Sequence, residues 1–214
     1  MSEAVAKQGA TPWLRLAIWS LSAVVTVVFC ILFVDRAVAT WSHDALHRPH
    51  WAVAITKLAD ARVLEGIAAA ILVAASLAKL TGRRIGAAWR IAIAASFATL
   101  LAMAAIILLK YGFGRLWPET WVQNNPSWIG SHAYGFLPLH GGAGYESFPS
   151  GHTARFSAPF AVLWQRLPRL RLVWAVPPLI MAFALVAADY HFVGDCLAGI
   201  YVAIGCAAFA MQYV

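Results

Sequence analysis

The sequence is poor in charge. Only 12% of its 214 residues are Asp, Glu, Lys or Arg, while 62% are hydrophobic, and a water-facing surface cannot be assembled from that mixture. Cysteine is scarce as well. Cys30, Cys196 and Cys206 are odd in number and sit in or beside apolar runs, so neither a disulfide framework nor a metal site is implied. Nor does any cluster of His, Cys and carboxylates have metal-ligand spacing. No internal repeat, low-complexity tract or linker divides the chain, so a single domain over 1–214 is expected. Acidic residues are outnumbered, 9 against 16 Lys and Arg. That excess implies no nucleic-acid partner, because basic inner loops of a membrane protein face anionic headgroups.

What is present is length of apolar run. A helix needs about 20 apolar residues to cross a bilayer, and six runs approach that: Trp13–Val34, Val63–Ala78, Ile91–Leu109, Thr153–Trp164, Leu172–Ala188 and Cys196–Val214. The expected fold is all-α, a polytopic six-helix membrane bundle. Its short members, and the kinks at Pro159 and Pro177-Pro178, are tolerated where neighbouring helices re-satisfy the backbone. The first run is read as a span rather than a signal peptide, since Asp35-Arg36 follows it instead of a small-residue cleavage site. With a cytoplasmic amino terminus, the short inner segments collect Lys7, Arg15, Lys79, Arg83, Arg84, Arg90, Arg166, Arg169 and Arg171. That bias sets both ends inside, in what is expected to be a bacterial inner membrane.

The outer connection between the third and fourth runs, 111–151, is then a long extramembrane loop. "KYGFGRLWPETW", Lys110 to Trp121, is too aromatic for disorder and suits the bilayer interface. The loop leads into "YESFPSGHTARF". There Ser150 and Gly151 precede an apolar helix whose first N–H groups lack intrahelical partners and attract anions such as phosphate. His152 stands on the first turn, with Arg155 three residues on. Between the fifth and sixth runs, "ADYHFVGDCLAG" puts His191 four residues before Asp195. A carboxylate at that reach can hold one imidazole nitrogen protonated and leave the other free as base or nucleophile. Taken singly, each piece reads as a helix cap, an interfacial His or a snorkelling cation. Together, three segments bring Lys110 and Arg115, an anion-binding helix start and a His/Asp pair to one face of one bundle, and boundary ionisable groups so gathered are functional candidates.

At these residues the chain resembles the type 2 phosphatidic acid phosphatase superfamily of membrane phosphatases, whose signature is K-x6-R-P, P-S-G-H and S-R-x5-H-x3-D. The matches are Lys110 and Pro118, the whole of Pro149-Ser150-Gly151-His152, and His191 with Asp195. Two positions depart from it: Trp117 and Leu185 stand where the family has phosphate-contacting arginines. Arg115 is the expected substitute for the first, with Arg155 or His140 for the second.

The resemblance implies metal- and cofactor-independent hydrolysis of a lipid phosphate or diphosphate through a phosphohistidine. His191 is then the nucleophile, Asp195 its orienting partner and His152 the acid and base. Lys110, Arg115, Arg155, Ser150 and Gly151 form the phosphate site. Family substrates include polyprenyl diphosphate, phosphatidylglycerol phosphate, phosphatidic acid and lipid A phosphates, and the loop over Asn124–Gly142 is expected to set the choice. A phosphotransferase with the same intermediate, and a catalytically silent lipid-phosphate-binding or transport protein, are the alternatives.

Overall fold

The computed structural model describes residues 12–122 and 124–214; Lys7 and the side chain of Arg15, counted among the inner basic residues, lie outside that description. The described residues are helical apart from loops and isolated bridges. Helix α1 (Pro12–Phe29) passes through a π-helical turn, Cys30–Val34, into α2 (Asp35–Leu46). After α3 (His50–Thr56) and a 3-10 turn, Lys57–Ala59, come α4 (Ala61–Leu80) and α5 (Ala87–Phe113). A loop containing the one-turn α6 (Trp128–Ser131) leads to α7 (Gly151–Arg166), α8 (Arg171–Ala187) and α9 (Val193–Ala210).

Among the described residues five helical segments are long and apolar enough to cross a membrane, by length and composition: Leu16–Leu46, His50–Leu80, Ala87–Phe113, Pro168–Ala187 and Val193–Ala210. Their outward faces carry side chains such as Leu108 and Leu172, 74% and 81% exposed, which only a lipid surroundings makes stable. The sixth expected span, α7, has just 16 residues and needs little apolar outer face because it is the central helix. Ala154, Ala158 and Val162 pack with Ala94, Ala98 and Ala102 of α5 and Ala203 and Ala207 of α9 in one buried cluster. Small side chains allow the close helix approach that holds bundles together where lipid competes equally for apolar contact. Gly199 marks the tightest point: a Cβ there would lie 2.6 Å from the Ser150 carbonyl oxygen, so α9 can meet the start of α7 only with glycine.

The ends of the bundle differ chemically. The C-terminal end of α5, the N-terminal end of α7 and the α8–α9 turn meet at one end, while Lys79, Arg83, Arg84, Arg90, Arg166, Arg169 and Arg171 lie at or between helix termini of the other.

Candidate functional site

Three helix ends build a cleft. Ser150 caps α7, its Oγ accepting from the Thr153 backbone N–H at 3.3 Å, as its position before an apolar helix predicts. The Ser150 N–H in turn donates to the Asp195 carbonyl at 3.0 Å, which ties the start of α7 to the start of α9. His152, on the first turn, therefore faces His191 in the α8–α9 turn, with ring centroids 6.1 Å apart. Both line an open cleft of about 430 Å³ with Lys110, Glu146, Trp117, Trp121, Tyr190, Thr56, Lys57 and Asp60. The sequence thus located both histidines and Lys110. Lys57 and Asp60 it missed, because they lie well before Lys110, the first motif residue, and no local pattern singles them out.

Asp195 sits behind His191 and is wholly buried. Its Oδ2 accepts from Ser147 Oγ at 2.6 Å and from the Phe192 N–H at 3.0 Å. The same Oδ2 lies 3.5 Å from His191 Nδ1, too far for a good hydrogen bond, and Nδ1 has no other partner among the described residues. Such contacts commonly tighten when substrate binds. Burial pushes the His191 pKa below its ordinary 6.5, against the pull of Asp195, so the ring is neutral and its Nε2 lone pair available at neutral pH. The turn carrying His191 is braced from behind: Asp189, at φ 59°, pairs with His43 Nδ1 at 2.9 Å, and its carbonyl accepts from Trp121 Nε1 at 3.2 Å.

Arg115 is not where the sequence reading put it. α5 ends at Gly114, whose φ of +57° is left-handed and whose Cβ would collide with the Leu137 carbonyl; the chain turns there and sends Arg115 inward rather than into the cleft. Its guanidinium is 0% exposed, one nitrogen donating to Asp195 Oδ1 at 2.5 Å and another to Asp35 Oδ2 at 2.7 Å and the Tyr134 hydroxyl at 2.7 Å. Phe192 and Phe136 lie under its faces at 4.4 and 5.0 Å. Burial alone would lower its pKa, but the Asp195 and Asp35 carboxylates more than offset that and raise it. Tyr134, buried beside it, is pushed up to about 12 chiefly by desolvation and stays a donor, to the Ile31 carbonyl at 2.7 Å. Asp35 also accepts from the Gly194 N–H at 2.8 Å. It follows the π-helical turn, whose extra residue rotates the next helix, a device common at functional positions.

The other expected phosphate ligands divide. Ser150 and Gly151 are buried in the α7 cap and absent from the lining. Arg155 faces Glu65 at 3.4 Å and donates to the Ala59 carbonyl at 3.3 Å, behind the cleft wall. His140 is exposed against Tyr145. Of the loop, Trp117, Trp121, Val122, Ala143 and Glu146 line the cleft, whereas Asn124–Gly142 contributes Tyr134 and Phe136 to the wrapping of Arg115. Among the described residues no three of His, Cys, Asp and Glu gather as a metal-binding group.

The family profile of the PAP2 superfamily matches residues 89–214. A lipid A 1-phosphatase from Rhizobium etli is 32% identical over 96 residues, 44% of this chain and 37% of that protein. One from Rhizobium johnstonii is 31% identical over the same length, 35% of its own chain. The match thus spans little more than a third of each relative. The crystal structure of a transmembrane PAP2 type phosphatidylglycerolphosphate phosphatase from Bacillus subtilis superposes with a TM-score of 0.54 at 18% identity, covering 92% of both chains; it shares the fold.

Proposed function

The chain belongs to the PAP2 superfamily, and from that premise we propose that it hydrolyses a lipid phosphate or diphosphate, without metal, at the outer face of the membrane. The observation that carries the reading is the pair of histidines facing each other across one cleft, with Asp195 behind His191 and Lys110 on the wall. His191 Nδ1 points at the carboxylate, so Nε2 attacks phosphorus. As the phosphorus–oxygen bond to the leaving group breaks, His152 gives that oxygen its proton. Burial, with His191, Arg155 and Lys110 nearby, pushes the His152 pKa down to about 3; the phosphate dianion entering the cleft opposes that shift and favours the protonated form that this step needs. Asp195 stabilises the cationic phosphohistidine. In the second step His152 takes a proton from water, water adds to phosphorus, and inorganic phosphate leaves with His191 restored.

The single domain presents its cleft at the end of the bundle opposite the basic cluster, and the bias of that cluster to inner segments supports the outer side for 111–151 and an inner-membrane location. A polar cleft at headgroup depth, walled by Trp117 and Trp121, suits an amphiphile entering from the bilayer. The lipid A 1-phosphatase relatives favour a lipid headgroup phosphate as the scissile group. The silent-binder reading is favoured by one observation: among the described residues no arginine lines the cleft.

Release of inorganic phosphate from a panel of lipid phosphates by the purified chain in detergent tests the proposal. Turnover unaffected by EDTA is expected; absence of turnover on every lipid, or a loss that added Mg²⁺ or Zn²⁺ restores, refutes it. Transfer of the group to an acceptor other than water would identify a phosphotransferase.

A further inference from the structure

We propose that Lys57 is the second phosphate-gripping cation of the cleft, standing in for the arginines this chain lacks; the assignment rests on the phosphate-site reading above. A transferring phosphoryl group spreads negative charge over three oxygens and needs more than one fixed positive group. The two positions that supply arginine in the family pattern hold Trp117, which is neutral, and Leu185, which is 0% exposed in an apolar cluster with Met181 and Cys196. The nearby arginines are committed elsewhere, Arg115 to Asp35 and Asp195, Arg155 to Glu65. Two cations remain on the lining, Lys110 and Lys57. Lys110 already has Glu146 at 4.0 Å. Lys57 is exposed to the cleft and has no carboxylate within ion-pair distance among the described residues.

Its backbone is held in place although its side chain is free. Lys57 opens the 3-10 turn before α4, and its carbonyl accepts from the Asp60 N–H at 3.2 Å. Asp60 then caps α4 through the Arg62 and Val63 N–H groups at 2.9 and 3.3 Å. At the other end of the turn Ala59 is fully buried, and its carbonyl accepts from Arg155. Arg155, expected to touch phosphate itself, is thereby a strut from α7 to the turn that carries Lys57. A lysine on a four-carbon stem offers a point charge with three donors instead of a planar fork, so it can follow the oxygens without being aligned in advance.

The test uses the full chain in detergent with two readouts: kcat/KM on a lipid phosphate that the wild type turns over, and affinity for orthovanadate, a phosphate mimic, by titration calorimetry. Lys57→Ala is expected to lower both by about ten- to a hundredfold, the scale of losing one charge-assisted contact. Lys57→Arg should keep most of each, and Trp117→Arg added to Lys57→Ala should recover part by restoring a cation to the cleft lining. Lys57→Gln, which keeps the stem, should behave like Lys57→Ala. Turnover and vanadate affinity both unchanged in Lys57→Ala would overturn the assignment while leaving the hydrolase intact. A wild type that hydrolyses no lipid yet binds vanadate through Lys57 would instead refute the hydrolase and uphold the assignment. A wild type that does neither refutes both.

Discussion

Removing Arg115 should destabilise the fold rather than merely weaken its hold on substrate. The guanidinium is fully buried between two fully buried carboxylates, Asp35 on α2 and Asp195 on α9. With one positive and two negative charges the cluster already leans negative, and Ser147, Tyr134 and the Gly194 and Phe192 N–H groups share the excess. Arg115→Ala strips the cation and leaves two buried carboxylates without their counter-charge. Breaking a single buried pair by deleting one partner costs about 3–5 kcal/mol, so at least that loss is expected here. For a chain of this size each kcal/mol lowers Tm by roughly 2–4 °C, which puts the shift at about 6–20 °C for the protein in detergent. Arg115→Lys should recover only part, because one ammonium cannot reach both carboxylates with the geometry of the fork. Arg115→Ala combined with Asp35→Asn, which removes one orphaned charge, should melt above Arg115→Ala alone. An Arg115→Ala protein with wild-type Tm and reduced vanadate affinity would refute the reasoning and return Arg115 to the phosphate site.

The histidines should separate kinetically: His191→Ala loses turnover and the acid-labile phosphoenzyme together, whereas His152→Ala still forms the phosphoenzyme from a substrate with a good leaving group and then stalls. Phosphoenzyme trapped in His191→Ala reverses the roles. Because burial lowers the His191 pKa beneath 6.5, the neutral nucleophile persists as pH falls through that value, and the acid limb of kcat/KM should lie below pH 6.5; a limb above it contradicts a desolvated nucleophile. Gly199→Ala places a Cβ 2.6 Å from the Ser150 carbonyl and should cost about 1–3 kcal/mol along with activity. Gly66→Ala, with nothing within 4 Å of the new methyl, should leave Tm unchanged or slightly raised, and equal effects at the two sites would argue against the close α7–α9 packing.

The parts of the site that the sequence exposed are those whose partners lie within one helical turn or at a helix end. Ser150 caps α7, His152 follows it on the first turn, and His191 and Asp195 are four residues apart across the start of α9; local spacing places them wherever the helices dock. Lys110 was legible for a similar reason, as the last cation of a long apolar run. The six apolar runs likewise foretold the bundle, because spanning length is a property of consecutive residues. Their limits drifted where polar segments continue the helix, as in α2, or where a helix is shielded by neighbours, as in α7.

What escaped depends on contacts between distant segments. Asp35 looked like the polar stop after an apolar run, yet it is buried against Arg115, 80 residues away, and Arg115 is bound to Asp195, 80 residues further on. No period or motif joins three such positions. The one local signal was Gly114: a glycine directly after the helix-ending "KYGF" suggests a left-handed cap, and a chain that reverses there cannot carry the next side chain out along the helix axis. Arg115 follows that reversal, so its direction was set by the residue before it. The charge it carries then had to be met inside the protein, and Asp35 meets it from a helix that lies outside the family-matched residues 89–214. The carboxylate behind His191 is therefore held through α2 as well as by its own helix, α9. On this reading the segment before residue 89 supplies both the internal counter-charge, through Asp35, and the external one, through Lys57, and a chain without it would keep every motif residue while losing the electrostatics that make them work.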